Sequence, residues 1–400
     1  MRVLYLTHRL PYAPNRGDRI RAYHTIRTLA AHAEIEVVSL VHDEGEMAQA
    51  DRLRDMGVRV TSLRVPRLRN LASAAIRLAG RVPLTHLLLD TPDIAATLQR
   101  IVRDRAPDVV LAYCSGMARF ALEPPLAGLP VVVDLVDVDS QKWATLSQSS
   151  RWPMRWIYER EAHCLAAFER RMSEAAAATI VVNERERDAL RALAPAAEVA
   201  VVPNGVDLQP LIPHGAPAER PRVVFCGVMN YTPNVDGALW FCQHVWPAVR
   251  RRRPDAEFLI VGSDPAPAVR RLHSPQAGIE VTGTVDDVRP YLWRSAVAVA
   301  PLLTARGIQN KVLEAVGAGL PAVVTAQVFE GLPAAVRPAC RVGASAASFA
   351  ETALALLAMS PSERRQAAAS ADITELTWES QLRPLYHLLA NSGARQAIAV

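Results

Sequence analysis

The chain has 400 residues, half of them hydrophobic and 21% charged, with a formal net charge of +5. That balance excludes a disordered or fibrous chain, and the length exceeds one ordinary hydrophobic core, so two domains are expected. The positive excess is too modest to indicate a nucleic-acid partner, and it comes from arginine, since Lys142 and Lys311 are the two lysines. Arginine forks suit phosphates and carboxylates, although a GC-rich genome gives the same bias.

Cys114, Cys164, Cys226, Cys242 and Cys340 are scattered without metal-like spacing. They read as small buried hydrophobes in a reducing compartment. The opening MRVLYLTHRL turns polar too quickly for a secretion signal, and no apolar run reaches membrane-spanning length. The expectation is a cytoplasmic protein, extending to one peripheral to the inner membrane.

Short β-branched runs alternate with longer helical patterns, the signature of parallel βαβ units. Strands are expected at 2–7, 36–41, 58–63, 108–113 and 131–135, with a helical pattern at 19–32. The arginines Arg64, Arg67, Arg69, Arg77 and Arg81 lie among Leu and Ile, which suits either a solvated amphipathic helix or a face for anionic lipid. One long helical stretch is expected over 140–177, then strands at 179–182 and 199–202. A Pro/Gly/Ala-rich linker at 210–221 precedes a second series of strands at 222–227, 257–262, 280–283, 296–300 and 322–325. The predicted division is an N-terminal domain over 1–207, a second domain over 208–375, and a helix over 376–400 that returns to the first.

In open α/β sheets ligands gather where strands end at their carboxyl side. Ala305-Arg306-Gly307-Ile308-Gln309-Asn310-Lys311 follows such a strand and should open a helix near Gly307–Asn310. Free backbone N–H groups there favour a diphosphate, with Arg306 and Lys311 adding charge-assisted bonds. Glu314, about one turn on, can accept hydrogen bonds from ribose hydroxyls. An amphipathic helix with Val312, Leu313 and Val316 in the core is the plain alternative. Three carboxylates crowd Val133–Trp143, and Asp137 is the choice for contact with an acceptor; helix capping is an equal reading for Asp139 and Ser140. Asn204-Gly205 reads as a turn that tolerates positive φ.

KVLEAVGAGLPAVVT resembles the donor-binding signature of glycosyltransferase family 4, whose members are mostly retaining enzymes of the GT-B fold. The resemblance implies an α/β protein of two Rossmann-like domains facing across a cleft, which needs no cofactor and no metal. Glu314 matches the second glutamate of the family's pair, and Arg306 stands at the position of the first, the one near the transferred sugar. VVPNGVD resembles the crossover between domains, and Gly227 with Asn230, Gly262 and Gly283 match strand ends that face the donor. Gly17 is what remains of a glycine pair near the donor phosphates.

The resemblance therefore implies Asp137, Arg306 and Lys311 as catalytic residues. Gly17, Gly227, Asn230, Gly262, Gly283, Gly307, Ile308, Gln309, Asn310 and Glu314 are implied to bind the donor. RLPYAPNRGDRIR, VDLVDVDSQKW and ARGIQNKVLEA are also similar to sugar transferases of exosortase/PEP-CTERM exopolysaccharide loci. The expected partners are a nucleotide-sugar donor and a lipid-linked or oligosaccharide acceptor. A nucleotide-sugar epimerase on the same fold, or a catalytically silent binding partner, are the alternatives.

Overall fold

The computed structural model describes residues 1–12, 17–207, 209–212, 218–305 and 309–398. The chain divides into two compact units, one of Met1–Pro203 with Gln381–Val400 and the other of Asn204–Ser380. Each is a parallel sheet covered by helices, the α/β architecture expected from alternating strand and helix patterns.

In the first unit the strands are β1 (Arg2–Thr7), β2 (Glu34–Val41), β3 (Arg59–Arg64), β4 (Val109–Tyr113), β5 (Val131–Val136), β6 (Ala178–Val181) and β7 (Val199–Val201). They are ordered β3-β2-β1-β4-β5-β6-β7 and every pairing is parallel. The central strands β1, β4 and β5 read as near-continuous apolar runs because helices cover both faces. β2 begins earlier than its hydrophobic run, since Glu34 pairs in register with Arg2 and its carboxylate meets Arg59 on the neighbouring strand.

The single long helix expected over 140–177 is two helices, Asp139–Ser149 and Met154–Ala175. Ser147 ends the first by accepting from the N–H of Ser150, and Pro153, which has no N–H to donate, begins the second. The C-terminal helix Trp378–Ile398 buries Leu382, Leu385 and Leu389 completely, and Tyr386 lies 5.4 Å from the His32 ring of the first unit.

The second unit holds β8 (Arg222–Cys226), β9 (Glu257–Val261), β10 (Ile279–Gly283), β11 (Val297–Ala300), β12 (Ala322–Val324) and β13 (Cys340–Val342). Their order is β10-β9-β8-β11-β12-β13, again all parallel. β13 is an addition to the expected set: it is a three-residue edge strand with one buried residue, too short to leave an apolar run. Phe225, Phe241, Trp246 and Phe258 centre this core. Among the described residues, no helix is long and apolar enough to cross a membrane.

Candidate functional site

The carboxyl ends of β8, β9 and β11 converge on one cluster in the second unit. Gly262 follows β9 with φ +151°, and a Cβ there would lie 1.7 Å from the carbonyl oxygen of Gly227. A Cβ on Gly227 would in turn meet the Asn234 amide nitrogen at 2.7 Å and Lys311 Nζ at 3.2 Å. These glycines are required because two strand ends and two side chains occupy the volume a side chain would take.

Asn234 sits near the start of the helix Thr232–Trp240, 5% exposed, and is held from both sides. Its amide donates to the Val228 carbonyl at 2.9 Å, and its Oδ1 accepts from Lys311 Nζ at 2.5 Å. The Lys311 ammonium also lies 5.0 Å from the Phe225 ring centre, a cation–π contact.

Lys311 and Glu314 belong to the helix Asn310–Gly317, which buries Val312, Leu313, Ala315 and Val316 and leaves these two charged residues half-buried on its other face. Burial of its amine, partly offset by Cys226 and Glu314, lowers the Lys311 pKa to about 8. Burial raises the Glu314 carboxyl to about 7 against the opposing pull of Lys311. Among the described residues Lys311 has no carboxylate within ion-pair distance, so its charge is met by a neutral amide and a ring. Burial pushes the neighbouring Cys226 thiol up to about 12, which keeps it an inert thiol.

Gln309 is the N-cap of this helix, and Asn310, its first residue, accepts a 3.3 Å bond from Asn204. Arg306, Gly307 and Ile308 lie outside the described residues. Gly283 ends β10 with φ +73° and open space around it, while Asn230 is exposed in the turn before Thr232. Gly205 differs from its expected role. Positive φ is not what requires glycine there, since a Cβ would lie 2.4 Å from the Trp378 backbone.

Asn234 is not among the site residues expected from the sequence. Its one signal is an amide early in the helix TPNVDGALW, and nothing local shows that it faces a lysine far along the chain.

In the first unit the carboxyl ends of β4 and β5 carry the strain. Cys114 and Val136 each have φ +67°, which is unusual for any side chain and most costly for a β-branched one. At Val136 the strand stops in a γ-turn, with the N–H of Asp137 donating to the Leu135 carbonyl at 2.9 Å. Asp134 points inward instead and forms a fully buried ion pair with Arg21, Nε to Oδ2 2.7 Å.

Asp137 is half-buried, and its Oδ1 has no hydrogen-bond partner among the described residues. Burial, with Glu186 and Asp139 nearby, raises its pKa to about 7; Lys142 and Arg21 pull the other way. Glu186 accepts from the N–H of Val138 at 2.8 Å, which fixes the chain just beyond Asp137. Gly17 opens the helix Gly17–Ala30, which carries Arg21.

Helix capping does not explain Asp139 and Ser140. The cap position is Val138, without a side-chain bond, and the Ser140 hydroxyl and N–H both donate to Glu169, at 2.5 and 3.1 Å. Burial lifts Glu169 to about 7 despite those bonds.

The chain matches two family models in succession: a glycosyl transferase 4-like domain over residues 16–205 and glycosyl transferases group 1 over residues 220–359. No characterised protein matches by sequence. Among solved structures, HepE from Anabaena, in complex with UDP and glucose, is similar with TM-score 0.66 at 13% identity, covering 98% of this chain and 100% of that one. TarM of S. aureus is similar with TM-score 0.67 at 9% identity over 97% and 98% of the two chains. A glycosyltransferase from Rickettsia africae gives TM-score 0.64 at 10% identity over 98% of each. At such identities the likeness speaks to fold, and the fold is GT-B. The matched models speak to activity: this chain is a glycosyltransferase, a glycosyl transferase 4-like domain followed by a group 1 domain.

Proposed function

We propose that the protein moves a sugar from a nucleoside-diphosphate donor to an acceptor hydroxyl during assembly of a surface polysaccharide. The observation that carries this reading is the cluster of Gly227, Gly262, Asn234, Lys311 and Glu314 at adjoining strand ends. Bare backbone beside a cation that has no carboxylate partner among the described residues suits a diphosphate, and Glu314 is available to ribose hydroxyls. That HepE was solved with UDP-glucose, and TarM with UDP, supports this class of donor.

Catalysis on this reading is electrostatic. Charge develops on the departing diphosphate, and Lys311 with the N-terminus of Asn310–Gly317 stabilises it, assisted by Arg306, Gly307 and Ile308. Retention of configuration follows from the family resemblance, with attack on the face the diphosphate leaves. Asp137, with one oxygen unengaged at a strained strand end, orients the acceptor hydroxyl of a lipid-linked or oligosaccharide acceptor. Gln309, Asn310, Gly283, Asn230 and Gly17 remain proposed donor contacts.

Calorimetric titration with a set of nucleoside diphosphates tests the central claim. One of them should bind, and Lys311→Ala should weaken it strongly. Equal affinity in wild type and variant removes the donor site as drawn.

A further inference from the structure

A second surface, wholly within the first unit, combines exposed apolar side chains with arginines of which several have no carboxylate partner among the described residues. The helix Arg67–Ile76 buries just Asn70 and Ala74, and leaves Leu68 84%, Leu71 55% and Ile76 84% exposed. From Val65 to Leu89 the sequence has no acidic residue, while Arg67, Arg69, Arg77 and Arg81 fall inside it. Arg69 lies 3.9 Å from Asp90; Arg67, Arg77 and Arg81 have no carboxylate partner among the described residues.

This segment is fastened to the start of a second helix. Arg160 donates to the carbonyls of Gly80 and Val82, 2.6 Å each, and Glu161 accepts from the N–H groups of Leu84 and Thr85 at 2.7 and 2.9 Å. Asn70 donates to the carbonyls of Leu88 and Asp90 at 3.1 and 2.7 Å, which locks the Arg67–Ile76 helix to the same segment. One turn before Arg160 stands Trp156, 46% exposed, preceded by Met154 at 42% and Trp152 at 83%. Arg151 and Arg155 flank them, and Arg155 is paired with Glu159 at 2.8 Å.

Leaving a tryptophan and two aliphatic side chains almost fully in water forgoes about 2 kcal/mol each. A core position would have recovered it, so the arrangement needs a partner. We infer that this face of the first unit, Arg67–Ile76 with Arg81, Trp152 and Trp156, docks on an anionic lipid bilayer.

The charge selects that partner over a second copy of the chain, because a two-fold contact would press unpaired arginines against each other. Tryptophan settles at the headgroup boundary, and arginines beside an apolar helix face bind anionic headgroups. This goes beyond the donor reading and does not depend on it.

Co-sedimentation tests it, with vesicles of pure phosphatidylcholine and vesicles that also contain phosphatidylglycerol. The protein should bind the anionic vesicles and release as salt rises. Arg67→Glu, Arg77→Glu and Arg81→Glu together should weaken binding on the order of a hundredfold. Trp152→Ala should weaken it about tenfold. Both sets lie at the surface, and thermal melts confirm that each variant is folded.

Absence of binding to anionic vesicles at low ionic strength overturns the inference, as does binding that neither set alters. If sedimentation velocity shows a dimer that the same substitutions abolish, the face belongs to a second copy instead. Nucleotide titration of the same samples reads the donor site separately, so either proposal can fail alone.

Discussion

The two units end their strands in opposite electrostatic states. In the first, the deepest charges are spent on each other: Arg21 and Asp134 are both fully buried and joined at 2.7 Å. In the second, Lys311 is met by an amide and a ring, and the nearby carboxyl of Glu314 is raised to about 7, so that it is about half protonated at pH 7. A paired charge fixes the fold around it, whereas an under-met charge keeps its attraction for something that arrives later. The same contrast runs through the backbone. The first unit strains β-branched Val136 to place Asp137, and the second uses Gly262 to clear space.

Gly262→Ala should break the second unit's arrangement most severely. The new methyl would lie 1.7 Å from the Gly227 carbonyl at a φ of +151°, so β8 and β9 must part. A loss of about 5 kcal/mol is expected, among the largest that single substitutions give. Denaturant unfolding measures it, and nucleotide affinity should fall with it. A folded variant of near wild-type stability would mean that the strand ends have slack.

Arg21→Ala should cost the first unit about 3–5 kcal/mol, because Asp134 is left buried without its partner. Replacing both with apolar residues of similar volume, Arg21→Met with Asp134→Leu, should recover most of that stability. If the double variant is no better than the single, the pair does more than satisfy itself. Nothing comparable is expected at Lys311.

Lys311→Ala should leave the melting temperature nearly unchanged, since Asn234 keeps its bond to Val228 and Glu314 can hold a proton. Donor affinity should fall about 10- to 100-fold, the worth of a charge-assisted bond to phosphate. A large stability loss with intact affinity would invert the contrast between the units.

How much of this was legible in sequence follows from the range of the forces. Strand runs such as RVLYLT and RVVFC carry their own signal, because burial on both faces demands apolar residues in sequence. Edge strand β13 does not, whereas the break at 150–153 has a local mark, Pro153, that the helical patterns on either side outweighed. Lys311 and Glu314 stood out as a lysine and an acid at helical spacing after a strand. Asn234, Glu186 and the Arg21–Asp134 pair were silent, since each depends on a contact distant in sequence. Donor contacts placed at Arg306, Gly307 and Ile308 lie outside the described residues and stay proposals.

The effects expected to be smallest near neutral pH are in pH dependence, and they separate the units cleanly. Lys311 has its pKa lowered from 10.5 to about 8, so in the empty site it loses its proton as pH rises past that value. A bound diphosphate favours the ammonium and raises that pKa, so binding above about pH 8 must take up a proton. Affinity should then fall by up to about tenfold per pH unit above 8, until the pKa of the bound state is reached. Lys311→Arg, always charged, should abolish that limb. Asp137, raised to about 7, belongs to the other unit and, on the proposed function, to turnover. If its carboxylate orients the acceptor, kcat should rise with pH through about 7, and Asp137→Asn should remove the rise while leaving the affinity limb near 8 in place. Glu169 also sits at about 7, but Ser140 engages it inside the protein, so Glu169→Gln should change stability more than the kcat profile. A single substitution that moves both limbs would show that the two units do not divide binding and acceptor chemistry between them.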